Sequence, residues 1–455
     1  MLTSVGRPNV DQVSDHGQAV ADLRGQYAAI PAGRPVRLAK PTSNLFRFRA
    51  DQPGGLDVAR FDRVLSVDAS TRTAQVQGMT TYEHLVDATL PHGLMPLVVP
   101  QLKTITLGGA IAGLGIESSS FRNGLPHESA RELEVLTGDG EVVVVGPSDD
   151  LFRGFPNSYG TLGYALRAEI ELEPVRPFVR LRHVPFGSAE ELAEVVEAVC
   201  AERSYQGEPV DFIDGTVFSG HEQYLTLADW ADSAPYRSDY TGRNIYYRSI
   251  QARRTDYLTV RDYLWRWDTD WFWCSRAFGA QHPVVRRLWP KRYLRSDVYH
   301  KIVAWDRRSG FSAKLSKAVQ EPVIQDVEIP VAKLAEFLDF FHREIGIEPV
   351  WLCPIRLRDR VGWPLYPMDP DALYVNVGFW STVDLRPDEE LGSRNRLIED
   401  KVTELGGHKS LYSDSYYGEE DFWAKYDGAT YRELKQRFDA DARLPDLYAK
   451  CVLRR

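Results

Sequence analysis

Between Pro100 and Gly124 the chain reads PQLKTITLGGAIAGLGIESSSFRNG, with five glycines, no aspartate and consecutive hydroxyls at Ser118, Ser119 and Ser120. Glycine turns where side chains would clash and lets backbone N–H groups come close to an anion. Gly108, Gly109, Gly113 and Gly115, set among the apolar Leu107, Ala110, Ile111 and Leu114, have the make-up of a phosphate cradle. The same spacing suits a tight buried turn between two strands, since glycine-rich runs have many structural uses. A second stretch with chemical character runs from Tyr263 to Trp273 (YLWRWDTDWFW), followed by nine lysines and arginines between Arg276 and Arg308 against Asp297 and Asp306. Trp and Tyr beside basic residues are what a segment facing anionic lipid contains. They are equally what a subdomain core contains.

The whole chain bounds these readings. It has 455 residues, 43% hydrophobic and 26% charged, the composition of an ordinary globular protein long enough for two or three domains. A net charge of −9, from 55 basic and 64 acidic residues, argues against nucleic acid as the main partner. Cys200, Cys274, Cys353 and Cys451 lie far apart with no C-x-x-C pair, so neither a zinc site nor a disulfide framework is expected, and no other metal site. The first residues contain no apolar signal core, and no run of 18 apolar residues follows, so the expected location is cytoplasmic, with association at the inner face of the plasma membrane left open.

The elements that must position the glycine stretch can be read in order. A helix is expected from Ser14, as N-cap, to Ile30, with Val20, Leu23 and Tyr27 on one face. Short strands follow at Val64–Val67 and Ala74–Gln77. A capping box at Thr80-Thr81-Tyr82-Glu83 opens a helix through Leu90. Leu133 to Val145 is a hairpin about the turn TGDG, and Ala165 to Leu172 is another strand. Beyond Pro174, helices are expected at Ala189–Cys200 and Lys333–Glu344, and strand and turn at Gly207–Phe218. Buried strands are expected at Pro349–Leu357 and Leu373–Phe379, and a last helix at Ala429–Phe438. This is an α+β chain.

The order GIESSS, LFRGFPNSYGTLG, VIQDVEIP, PVWLCPIRL, LYSDSY and EEDFWAKYDGATYRELK resembles the vanillyl-alcohol oxidase/PCMH-type flavoproteins. It is nearest to the delta(24)-sterol reductase group and its bacterial relatives, from about Val36 to Leu453. The membrane-anchoring N-terminal helix of the sterol enzymes is expected to have no counterpart here. The resemblance implies a two-part FAD-binding domain of the PCMH type over residues 1–178, a separate α+β substrate domain over 179–404, and a tail over 405–455 that returns to the flavin. It implies that Thr104 to Ser119 wraps the FAD pyrophosphate, with Thr104, Thr106, Gly113, Gly115, Ser118 and Ser119 in contact and the N–H groups of Leu107, Gly108, Gly109 and Ala110 as donors. Gly160, Thr161 and Gly163 would pack on the flavin side, and the strand around Ile170 would reach the adenine or ribityl part. Lys40 to Leu45 replaces the family's first phosphate loop without its R-G-G-G-H pattern. With no histidine there and no cysteine in the second loop, FAD is expected to be held non-covalently.

Among the bacterial relatives are reductases of 10-methylene fatty acyl chains, which act after a methyltransferase in making 10-methyl-branched lipids. The resemblance thus implies a lipid or phospholipid acyl substrate, NADPH or NADH as electron donor, a methylene-forming methyltransferase as functional partner, and contact with a membrane surface. A sterol-type alkene, an alcohol or sugar to be oxidised, and a lipid-binding role without flavin are the alternatives. An isolated alkene has no carbonyl to accept electron density. Protonating its less substituted carbon places charge on a tertiary carbon that hydride from the reduced flavin then quenches, so the protein must supply an acid. Tyr412, Asp414 and Tyr416 are the expected acids, with His408 beside them and Glu117 as a further candidate. Lys409 is expected to place positive charge by the flavin N1–C2=O edge. Each of these also suits a structural hydrogen bond. Cys353 reads as a core residue, and Asn376 sits on a strand expected to face the flavin.

Overall fold

Alternating apolar residues build two large antiparallel sheets. The structure is a computed structural model describing residues 10–40, 45–47, 54–309 and 319–454. The first sheet runs Val64–Asp68, Thr73–Gln77, Tyr164–Pro174, Ala130–Leu136, Val142–Val145, with Leu94–Pro96 on the far end of Tyr164–Pro174. Its hairpin closes through Thr137 N–H on the Glu141 carbonyl at 2.9 Å, with Gly140 in the left-handed region at φ 83°. The glycine stretch folds against this sheet as a short helix, Leu107–Ala112, whose backbone approaches so closely that a Cβ at Gly108 would lie 2.8 Å from the Gly78 carbonyl.

The second sheet begins at Phe178. Its order is Thr255–Thr259, Phe178–Phe186, Glu222–Ala231, Phe212–Ser219, Val350–Ile355, Tyr374–Asp384, Gln320–Pro330, His408–Lys409. One face carries Val323, Val327, Val350, Leu352, Val375 and Val377 and packs on the helices Ala189–Glu202, Leu334–Glu344 and Ser393–Glu404. Strand side chains alternate. The opposite face of the central strands therefore carries Asp326 and Glu328, Trp351 and Cys353, and Asn376, Gly378 and Trp380. It is covered by the aromatic segment, in which Trp265, Trp267, Trp271 and Trp273 are all buried. Their place is the core, not a surface.

The tail bridges the two bodies. After His408–Lys409 it crosses to the first sheet's side, where the helix Gly428–Phe438 sends Lys435 Nζ to the Thr161 carbonyl at 2.8 Å and Arg443 Nε reaches the Arg34 carbonyl at 2.9 Å. Two expected helix starts shift. The first helix is Val10–Ala28, so Ser14 is inside it. The helix Tyr82–Thr89 is capped by Thr81, one residue later than expected, because Thr80 instead gives its hydroxyl to the Arg63 carbonyl. Glu83 leaves the cap and pairs with Arg295 at 2.8 Å. Residues 41–44 of the first expected phosphate loop lie outside the described residues.

Candidate functional site

A cavity of about 370 Å³ lies where the glycine helix, the second sheet, the aromatic segment and the tail converge. Its polar wall comes from the glycine stretch. Thr106 caps the helix, its Oγ1 accepting from Gly109 N–H at 3.2 Å and from Lys40 Nζ at 3.2 Å. Gly109 is exposed to the cavity, and a Cβ there would meet only Thr106 Oγ1 and Lys40 Nζ. Thr104, Gly108, Gly113 and Gly115 also line it, as do Gly160 and Gly163 from the segment before Tyr164. A Cβ at Gly113 would lie 3.1 Å from the Tyr159 ring, so glycine there is what lets that ring close over the helix end.

The donor set differs from expectation. The N–H groups of Leu107 and Gly108 bond the carbonyls of Thr80 and Gly78 at 2.9 Å, and those of Gly109 and Ala110 bond Thr106. All four are spent inside the protein, because a helix docked this closely on a sheet satisfies its first amides there. Further along, the N–H groups of Leu114, Gly115 and Ile116, which line the cavity, have no acceptor among the described residues. Leu107 and Ala110 are core. So are Ser118, Ser119, Thr161 and Ile170: Ser118 bonds Glu117 and Tyr263, Ser119 the Leu97 carbonyl, Thr161 the Ser158 carbonyl, and Ile170 sits mid-sheet opposite Ala74 and Ala130.

Among the described residues, five cations, Arg37, Lys40, Arg47, Lys450 and Arg454, line the cavity against a single carboxyl, Asp326. Arg47 is buried over the Tyr159 ring at 4.6 Å, and its Nη1 donates to the Leu411 carbonyl at 3.2 Å. Among the described residues its Nη2 is buried without a hydrogen-bond partner, as are Arg37 Nε and the Tyr159 hydroxyl. Burying a donor unmatched costs about 1–3 kcal/mol, and an anion bound in this cavity would relieve that cost.

The remaining wall is aromatic: Phe46, Trp271, Phe272, Trp351, Trp380 and Tyr412. Trp271 and Phe272 are consecutive left-handed residues, at φ 46° and 60°. Side chains of that bulk adopt the conformation only where the surroundings impose it. Here the Phe272 ring stacks between Trp267 at 4.9 Å and Trp380 at 4.4 Å. Facing them, Asp326 accepts from Asn376 Nδ2 at 3.3 Å, and Trp380 Nε1 donates to the Tyr412 hydroxyl at 2.9 Å. Burial pushes the Asp326 carboxyl up to about 7, against the downward pull of its hydrogen bonds with Asn376 and Tyr412. Glu328, next on the same face, is pushed up to about 8 by burial despite accepting from the Tyr366 hydroxyl. A Cβ at Gly378 would sit 2.4 Å from Asp326 Oδ1, so glycine makes the carboxyl's room.

Of the expected proton donors, the cavity brings in Tyr412 alone. Lys409 is buried in an ion pair with Glu399, and its Nζ also donates to the Asp414 carbonyl at 2.6 Å. The Asp414 carboxylate turns outward to Arg454 at 3.4 Å, and Tyr416 accepts from Arg454 at 3.2 Å. His408 lies against Tyr366 and Tyr374, with burial pushing it down to about 4. Glu117 points away from the cavity into a buried pair with Arg266 at 3.1 Å. Sequence reasoning missed Asp326. Its one signal was the spacing of two carboxyls, Asp326 and Glu328, inside an otherwise apolar strand. Cys353 is a core residue, with burial holding its thiol well above the ordinary range.

Residues 29–146 match the family model described as FAD binding domain. The chain is 29% identical to the delta(24)-sterol reductase of Homo sapiens over 406 residues, 85% of this chain and 75% of that protein. The delta(24)-sterol reductase of Arabidopsis thaliana is 26% identical over 431 residues, 87% and 76% of the two chains. The chain is an FAD-dependent oxidoreductase. The decaprenylphosphoryl-beta-D-ribose oxidase of Mycolicibacterium smegmatis is 35% identical over 153 residues, 32% of this chain and 33% of that one. The cavity suits this oxidoreductase's cofactor. An excess of cations, three amides without acceptors and an orphaned guanidinium N–H meet the needs of a pyrophosphate, and stacked aromatic rings those of a flat ring system. Among the described residues no helix is long and apolar enough to cross a membrane.

Proposed function

We propose that this oxidoreductase reduces an isolated carbon–carbon double bond in a lipid, converting a 10-methylene fatty acyl chain to its 10-methyl product with NADPH or NADH as electron donor. FAD is held non-covalently, and when bound and reduced it supplies the hydride. Asp326, protonated up to about pH 7 in its buried setting, gives its proton to the less substituted alkene carbon. Tyr412 and Asn376 hold that carboxyl in place, and Trp380 fixes the Tyr412 hydroxyl. Trp271, Phe272, Trp351 and Trp380 exclude water, so that positive charge developing on the tertiary carbon is not captured by solvent. The observation that carries the reading is a protonatable carboxyl on an aromatic wall, facing the glycine stretch that would bind the cofactor's phosphates.

The sterol-type alkene is the second reading, favoured by the similarity to delta(24)-sterol reductases along 85% of this chain. Both substrates present an unconjugated alkene with one fully substituted carbon. Purified protein incubated anaerobically with NADPH and either a 10-methylene phospholipid or a sterol with a side-chain alkene separates them. NADPH consumption and a mass gain of two hydrogens, one from a proton and one from a hydride, are expected with the methylene lipid. Turnover of the sterol alone would reassign the substrate. Oxygen consumption with an alcohol or sugar in a separate aerobic assay, and no alkene reduction in the anaerobic one, would overturn the reductase reading.

A further inference from the structure

The most basic part of the chain divides on folding into an inner and an outer set. Arg286 is buried, its guanidinium bonding Asp270 at 2.6 and 2.9 Å, so it belongs to the core. Arg287, Lys291, Arg292 and Lys301 are exposed. Beside them in sequence stand the largest exposed apolar residues of this region: Leu288 at 77%, Val284 and Trp305 at 60%, and Tyr293 at 43% exposure. They lie on three successive elements, the helices Pro283–Leu288 and Ser296–Ser309 and the single turn Lys291–Tyr293 between them. The short helix Pro283–Leu288 runs into Trp289, whose ring meets Tyr299 of the helix Ser296–Ser309 at 6.5 Å.

That second helix also reaches the cavity. The His300 ring packs at a tilt against Trp271 at 4.2 Å and Phe46 at 5.1 Å, both cavity-lining rings. Trp305 lies five residues further on, about 140° round the helix at 3.6 residues per turn, and faces outward. The patch therefore backs directly onto the aromatic wall. It is cationic on a chain whose net charge is −9, and apolar side chains ringed by Lys and Arg complement an anionic bilayer, the apolar groups entering the interface and the cations pairing with headgroups.

We propose that Val284, Leu288, Tyr293 and Trp305, with Arg287, Lys291, Arg292 and Lys301, dock this protein on an anionic lipid bilayer and bring the aromatic end of the cavity to the membrane. The surface does not depend on the alkene assignment, since docking is read without substrate. The test is vesicle flotation of the flavin-loaded full chain with phosphatidylcholine vesicles, with and without phosphatidylglycerol. The wild type is expected to float with the anionic vesicles, to be released by high salt, and to bind neutral vesicles weakly. The triple change Arg287→Glu, Lys291→Glu, Arg292→Glu should weaken anionic-vesicle binding about tenfold or more. The double change Leu288→Ser, Trp305→Ser should do the same while leaving the salt dependence in place. All substituted side chains are exposed, so flavin absorbance and unfolding temperature should stay at wild-type values. A wild type that fails to float, or variants that float as it does, would overturn the proposal, whatever the alkene assay gives.

Discussion

Two acidic residues two positions apart, Asp326 and Glu328, sit in a place where ionisation is opposed. Free aspartate ionises near 3.8, while burial carries Asp326 to about 7. Between these values the folded chain holds a proton that the unfolded chain has released, so stability falls as pH rises through that window. Asp326→Asn removes this contribution. Its unfolding temperature is expected to gain on the wild type as pH goes from 4 to 7, with no comparable gain below pH 4. The same substitution should lower kcat by about 100-fold to 10,000-fold, the usual range for losing a general acid, and leave KM little changed. The wild-type rate should fall above pH 7 as the carboxyl ionises. In Tyr412→Phe, a hydrogen bond that holds the carboxyl down is lost, so the surviving activity should fall at a higher pH than in the wild type. A pH–rate profile of both variants checks this, and a limb that stays in place in Tyr412→Phe would separate the tyrosine from the acid.

At the scale of elements, the helix Leu107–Ala112 explains what could and could not be read from the sequence. Local signals were legible: the TGDG hairpin, the strands on either side of it, and the apolar face of Leu334–Glu344 follow from turn chemistry and periodicity that act over a few residues. Which glycine amides stay free was not legible, because it depends on the carbonyls of Thr80 and Gly78 arriving from a distant turn. Asp326 was hidden for a similar reason. The alternation in VIQDVEIP reads as a sheet face in water, and only the cover of aromatic residues 263–273 turns that face into an interior. The polar tail has no periodicity, so Lys409, Asp414 and Tyr416 gave no sign of which way they would point. Gly109 tests the helix. It faces the cavity, so Gly109→Val should push aside the Thr106 hydroxyl, 2.8 Å from the added Cβ, and fill the space without meeting the sheet. The purified variant is expected to lose its flavin absorbance, with flavin affinity at least about tenfold lower and an unchanged far-ultraviolet circular dichroism spectrum. A yellow variant of normal affinity would move the phosphate site away from this helix.

At the scale of the molecule, the two sheets are joined through a fully buried ionic knot. Arg266, from the aromatic segment, donates to Glu117 at 3.1 Å and to Asp214 at 2.7 Å, lies 4.0 Å over the Tyr263 ring, and shares Asp214 with Trp267 Nε1 at 3.1 Å. Glu117 follows the glycine stretch and Asp214 belongs to the second sheet, so one guanidinium ties the glycine stretch to the body that carries Asp326. Arg266→Met would leave two buried carboxylates without their counter-charge, at a cost of about 3–5 kcal/mol. Chemical denaturation should show that loss, with weakened flavin retention because Gly115 stands two residues before Glu117. Glu117→Gln discriminates between a structural and a catalytic role. The amide keeps an acceptor for Arg266 and Ser118, and burial already pushes the Glu117 carboxyl up, so the cost should be about 1–3 kcal/mol or less. Since Glu117 does not line the cavity, kcat should hold within about threefold and the pH profile should keep its limb near 7. A kcat loss as large as that of Asp326→Asn, with the limb abolished, would return the proton to Glu117. It would also require the knot to open during turnover.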